Sequence, residues 1–169
     1  MSRSRVVTSL LAVVIMIVIQ TTVFGAAGIQ PLGVAPALVT LIVILVAPFI
    51  ETEYHVLLGF TAGILVDLVG SGTLGLWAMT LTIIAYASSR LRTRMAQSPI
   101  AMGAIVFGLT VAGQMIFVLM STIFGQNTIA EPHLLQKIFL PALWNLVLAY
   151  PAMWLLKRVF KPTERGWAV

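Results

Sequence analysis

Leu57-Leu58-Gly59-Phe60-Thr61-Ala62-Gly63-Ile64-Leu65-Val66-Asp67-Leu68-Val69-Gly70, followed by Leu74-Gly75-Leu76, is a long apolar stretch with a single carboxylate inside it. Asp67 stands one helical turn beyond a Gly59-x-x-x-Gly63 pair. A charge at bilayer depth costs roughly 2.5–3.5 kcal/mol on insertion scales, so such residues face protein or water. Glycines at this spacing let another helix backbone come close. The stretch predicts a packed helix in a membrane bundle, with one polar group held for a reason.

The composition agrees. The 169-residue chain is 60% hydrophobic and 9% charged, with a mean hydropathy of +1.05. No soluble domain of this size needs so much apolar surface, so its solvent is lipid. The length suits one compact bundle, and a single transmembrane domain over residues 1–169 is expected. There is no cysteine, which excludes disulfides and thiolate metal sites. The net charge of +5 sits at the ends of apolar segments rather than along one face, which argues against a nucleic-acid partner.

Working outward, the hydropathy predicts an all-α polytopic bundle of six transmembrane helices, at about 6–24, 35–50, 56–69, 74–89, 100–124 and 134–160. The first run follows Arg3 and Arg5 and precedes Gly25-Ala26-Ala27, a signal-peptide-like arrangement. It is long for a signal sequence, and an uncleaved helix is the preferred reading. Arg90, Arg92 and Arg94 are read as a basic loop after the fourth run, and Glu51, Glu53 and His55 as a solvated loop before the third. With the N-terminus cytoplasmic, nine of the ten basic residues fall inside and only Lys137 falls outside. The positive-inside rule thus places both termini in the cytoplasm. Runs three and four are short for a hydrocarbon core of about 30 Å. True spans are preferred, and a re-entrant hairpin stays open.

Asp67 has two readings. It is a proton or ion site, or it anchors the turn that follows; the anchor is preferred, because the apolar runs hold no second acid for a relay. Glu51, Glu53 and His55 offer zinc-type donors without a ligand spacing, so no metal is expected. Arg90, Arg92 and Arg94 set topology and contact anionic lipid, or dock a cytoplasmic partner. Ala104, Gly108 and Ala112 form a small-residue face on the fifth helix, with packing inside the chain as the default. Asn145, between Pro141 and Pro151, is placed to satisfy a freed carbonyl or bind a neighbouring helix. No catalytic constellation or cofactor motif is present, and no enzyme activity is expected.

The pattern Gly-Phe-x-Ala-Gly-Ile-Leu-x-Asp-Leu from Gly59, a short Gly/Ser turn and then Leu74-Gly75-Leu76 closely resembles the bacterial rod shape-determining MreD family. Gln20-Thr21-Thr22-Val23-Phe24, Pro36-Ala37-Leu38-Val39 and Ala85-Tyr86-Ala87-Ser88-Ser89-Arg90-Leu91-Arg92 are similar to that family's helix ends. The match is specific around residues 59–92 and looser after residue 100. The resemblance implies a non-enzymatic scaffold of the cell-elongation complex in the bacterial cytoplasmic membrane. Its implied partners are MreC and the wider assembly of MreB, RodA and its transpeptidase, besides membrane lipids; a homodimer is open. It also implies a bundle similar to the membrane substrate-binding subunits of energy-coupling-factor transporters. On this reading Gly59, Gly63 and Gly75 permit close packing, and Asp67 fixes the hairpin or contacts MreC. Arg90, Arg92 and Arg94 face MreB or lipid.

That last likeness supplies a rival, a small-molecule-binding subunit of transporter type. Such subunits dock through an Ala-x-x-x-Ala face on their first helix, whereas Ala12 here is followed by Met16. A site for a lipid-linked cell-wall precursor is a further alternative, and no cluster of inward basic residues supports it.

Overall fold

The computed structural model describes residues 3–25, 28–70, 72–126, 128 and 132–160. Within them lie six α-helices: α1 Arg3–Thr22, α2 Leu38–Val46, α3 Thr52–Val69, α4 Leu76–Gln97, α5 Pro99–Ile123 and α6 Leu134–Val159. Short 3-10 turns occupy Pro31–Gly33 and Ala47–Phe49. Lys161 and Arg165 of the predicted basic end, and Ala26 and Ala27, lie outside the described residues. By length and apolar composition, α3, α5 and α6 can each cross a membrane.

The centre of the bundle is α2. Its run Leu38-Val39-Thr40-Leu41-Ile42-Val43-Ile44-Leu45-Val46 has no polar face, and every one of these residues is buried. A helix that is apolar all round belongs inside. All five other helices pack against it, while α1, α3, α4, α5 and α6 follow one another round it. It is also shorter than expected. The predicted helix over 35–50 shrinks to nine residues, about 14 Å long. Pro36 biases the preceding backbone away from helix, and Pro48 lacks the N–H that α-helical pairing requires. The chain leaves α2 through the tighter 3-10 turn.

Three other expectations change. α3 begins at Thr52, not at residue 56, so His55 is inside the helix and fully buried rather than in a solvated loop. α4 runs on to Gln97, so Arg90, Arg92 and Arg94 lie on its last turns instead of forming a loop. Leu, Arg, Met, Ala and Gln are all good helix formers, and a helix need not stop where its side chains become charged. The link to α5 is Ser98 alone, whose hydroxyl accepts the Ile100 N–H at 3.2 Å. With 18 and 22 residues, α3 and α4 are also longer than the 14 and 15 residues of apolar sequence suggest.

Candidate functional site

The hairpin of α3 and α4 is the most closely packed pair in the bundle, and its glycines explain why. A Cβ added to Gly59 would lie 2.6 Å from the Leu81 carbonyl oxygen. A Cβ added to Gly63 would overlap the Ala78 backbone and the Trp77 carbonyl. The two helices therefore touch backbone to backbone, the geometry that small residues at four-residue spacing permit.

Asp67 is the next residue along the same stripe and is 5% exposed. Its Oδ2 accepts the backbone N–H of Gly75 at 2.8 Å and of Ala78 at 3.2 Å. Its Oδ1 accepts that of Trp77 at 3.1 Å. These are first-turn donors of α4, which has no side-chain cap from its own N-cap residue. Gly75 holds φ at 98°, a left-handed value that a side chain resists, and so turns its N–H toward the carboxylate. A buried anion on three donors at a helix N-terminus is favourably placed. Asp67 thus clamps α3 to the start of α4, beyond the tight turn itself.

Beside the clamp lies a small cavity of about 80 Å³, between Asp67, Thr73, Trp77 and Phe117. Trp77 and Phe117, both in its lining, stack with ring centroids 4.5 Å apart. Gln126 donates to Thr73 Oγ1 at 2.8 Å, which ties the far end of α5 to the same turn.

A second polar group surrounds α2. Gln20 Oε1 on α1 accepts the Val39 N–H at 3.1 Å, near the start of α2. Asn145 on α6 donates to the Ala37 carbonyl at 2.9 Å and to Thr110 Oγ1 on α5 at 3.2 Å. Asn145 therefore binds neighbouring elements rather than repairing its own helix. At the other end, Pro48 offers no N–H to Ile44, and the Ala47 N–H turns back to the Ile44 carbonyl instead. That leaves the Val43 carbonyl without its usual helical donor, and His55 Nε2 reaches it at 2.7 Å. Because a carbonyl can only accept, Nε2 carries the proton here. Replacing His55 by leucine leaves this buried carbonyl unpaired. The expected loss is about 1–3 kcal/mol, read as a lower melting temperature in detergent, with His55→Gln retaining part of it.

The remaining sequence-derived candidates disperse. Ala104 and Gly108 are exposed on α5, and a Cβ on Gly108 meets nothing within 4 Å, so the default of internal packing is wrong for both. Ala112 is half-buried against the core. The inward face of α5 is Met102, Gly103, Val106, Thr110 and Gly113. Gly103 faces Leu146 and Tyr150 of α6, and Gly113 faces Ile84 of α4. Arg90 donates to Tyr86 Oη at 2.7 Å, while Arg92 and Arg94 are exposed. Sequence reasoning missed Gln20, His55, Thr110, Gly103 and Gly113 as packing determinants. A second small-residue stripe, at 103, 106, 110 and 113, was available as a signal, but spacing alone does not say which stripe turns inward. Among the described residues, no group of three or more His, Cys, Asp or Glu side chains is placed to hold a metal.

Neither a curated protein nor a solved structure matches the chain. A family model described as rod shape-determining protein MreD does match, over residues 2–159, a span that contains all six helices, the Asp67 clamp and the polar groups around α2; the chain belongs to the MreD family.

Proposed function

We propose that this chain is a non-enzymatic, multi-pass scaffold of the bacterial cytoplasmic membrane that binds MreC and helps organise peptidoglycan synthesis during elongation. Family membership, with its role in rod-shape determination, is the observation that carries this reading. The construction of the bundle supports it. Asp67, His55, Gln20 and Asn145 each join one helix to another element, which suits a rigid platform better than a moving carrier. The charge distribution supports cytoplasmic termini, since the exposed Arg90, Arg92, Arg94, Lys157 and Arg158 all lie toward the end where α4 and α6 finish. MreB, RodA and its transpeptidase would then be reached directly or through MreC.

Co-expression with MreC and purification in detergent, followed by mass determination, tests this. A complex of fixed ratio is the expected result. A monodisperse chain that ignores MreC and retains a small molecule would overturn the scaffold reading in favour of a transporter-type subunit.

A further inference from the structure

Two outer helices carry the same ordered ridge. On α4, Met79, Ile83, Tyr86, Arg90 and Arg94 succeed one another at spacings of three and four, and all are exposed. On α6, Leu143, Val147, Tyr150, Trp154 and Arg158 do the same. Each ridge passes from aliphatic to aromatic to cationic in the direction in which the helix ends. The bilayer has this order from its acyl region through its interface to its phosphates.

Two of the three cations, Arg90 and Arg158, are held by aromatics. The Arg90 guanidinium lies 5.1 Å from the Tyr86 ring and donates to its hydroxyl through Nε at 3.1 Å. The Arg158 guanidinium lies 3.7 Å over the Trp154 ring. Arg158, set over the ring, keeps its edge N–H groups for an anion, whereas Arg90 gives its Nε–Nη2 edge to the Tyr86 hydroxyl and keeps its other N–H groups. The described carboxylates are Glu51, Glu53 and Asp67, in α3 or directly before it, and none lies on α4, α5 or α6.

The two ridges flank α5, which packs against both helices. Tyr150 lies against Gly103, and the exposed Ala104 and Gly108 put only small groups on the outward side of α5. The small residues leave room, while the charge and the aromatic order provide recognition.

We propose that the outer face of α4, α5 and α6 is a binding site for an anionic phospholipid. The acyl chains lie along Met79 and Ile83 on one side of α5 and Leu143 and Val147 on the other, and the anionic headgroup faces the Arg90, Arg94 and Arg158 side. Charge complementarity selects an anionic lipid over a zwitterionic one, and the apolar run selects a lipid over a soluble acidic peptide.

The test is native mass spectrometry of the purified protein titrated with phosphatidylglycerol or with phosphatidylcholine. The wild type is expected to retain phosphatidylglycerol preferentially. Alanine at Arg90, Arg94 and Arg158 should weaken that retention by about fivefold per cation removed. Melting in phosphatidylcholine should stay unchanged, and the triple lysine variant should keep the preference. Equal retention of both lipids by the wild type, or an unaltered preference in the alanine variant, would overturn the proposal. So would loss of MreC co-purification in the alanine variant with its lipid count unchanged, which would assign the face to protein.

Discussion

Gly63→Ala is expected to disrupt the bundle although it adds a single methyl group. The new Cβ would occupy the position of the Ala78 backbone, and backbone has no rotamer by which to yield. α3 and α4 must separate along the whole hairpin. Asp67, one turn further on, then loses its reach to Gly75, Trp77 and Ala78. Overpacking commonly costs about 1–3 kcal/mol, and the attached loss of the clamp adds to it. Gly63→Leu extends the same effect. Neither change makes the segment less apolar, so membrane insertion should persist while monodispersity, melting temperature and recovery of the MreC complex fall. Gly108→Ala is the matched control. It sits in open space on an exposed helical face, where alanine favours the helix by about 0.5–1 kcal/mol over glycine. Normal melting and normal MreC recovery for Gly63→Leu would refute the packing role.

Asp67→Ala should have the second large effect. Three first-turn N–H groups lose their acceptor at once, at a place where water has little access. Removing an ordinary cap costs about 0.5–2 kcal/mol, and hydrogen bonds to charged groups are worth about 1.5–3 kcal/mol. A loss of roughly 2–4 kcal/mol is expected on these scales, seen as a lower melting temperature and faster proteolysis at the 70–75 turn. Asp67→Asn keeps an acceptor oxygen and should fall between. An ion or proton site predicts the reverse pattern, a stable protein that has lost its activity. An unchanged melting curve for Asp67→Ala would remove the clamp from consideration.

Much of the hairpin was legible because Gly59, Gly63 and Asp67 are exceptions to their surroundings. A carboxylate in an apolar run and glycines at helical spacing both demand a close partner. The centre of the bundle was not legible, for a reason peculiar to lipid. In water an apolar stripe marks the inward face, but in a membrane the outward face is apolar as well. Nothing in Leu38–Val46 therefore distinguishes a central helix from a peripheral one. The same ambiguity hid the difference between Gly108, which faces outward, and Gly103, which does not. His55 misled for another reason. Its neighbours Glu51, Glu53 and Tyr54 are exposed, and the carbonyl that holds it is freed by a proline seven residues earlier. The arginines of α4 show that charge marks the edge of the bilayer more reliably than the end of a helix.

The dependence of α2 on its neighbours also bears on the order of assembly. A nine-residue helix is too short to persist as an isolated unit. The Ala37 carbonyl at its start, which already accepts the Leu41 N–H, takes a second donor 108 residues later, from Asn145 of α6. During synthesis, α1 and the α3–α4 hairpin can settle early, because the hairpin's clamp lies between residues close in sequence. The polar contacts of the centre are complete only once α6 has entered. A chain truncated before α6 is therefore expected to form the hairpin beside an unfinished interior, read as faster proteolysis around α2 than within α3 and α4.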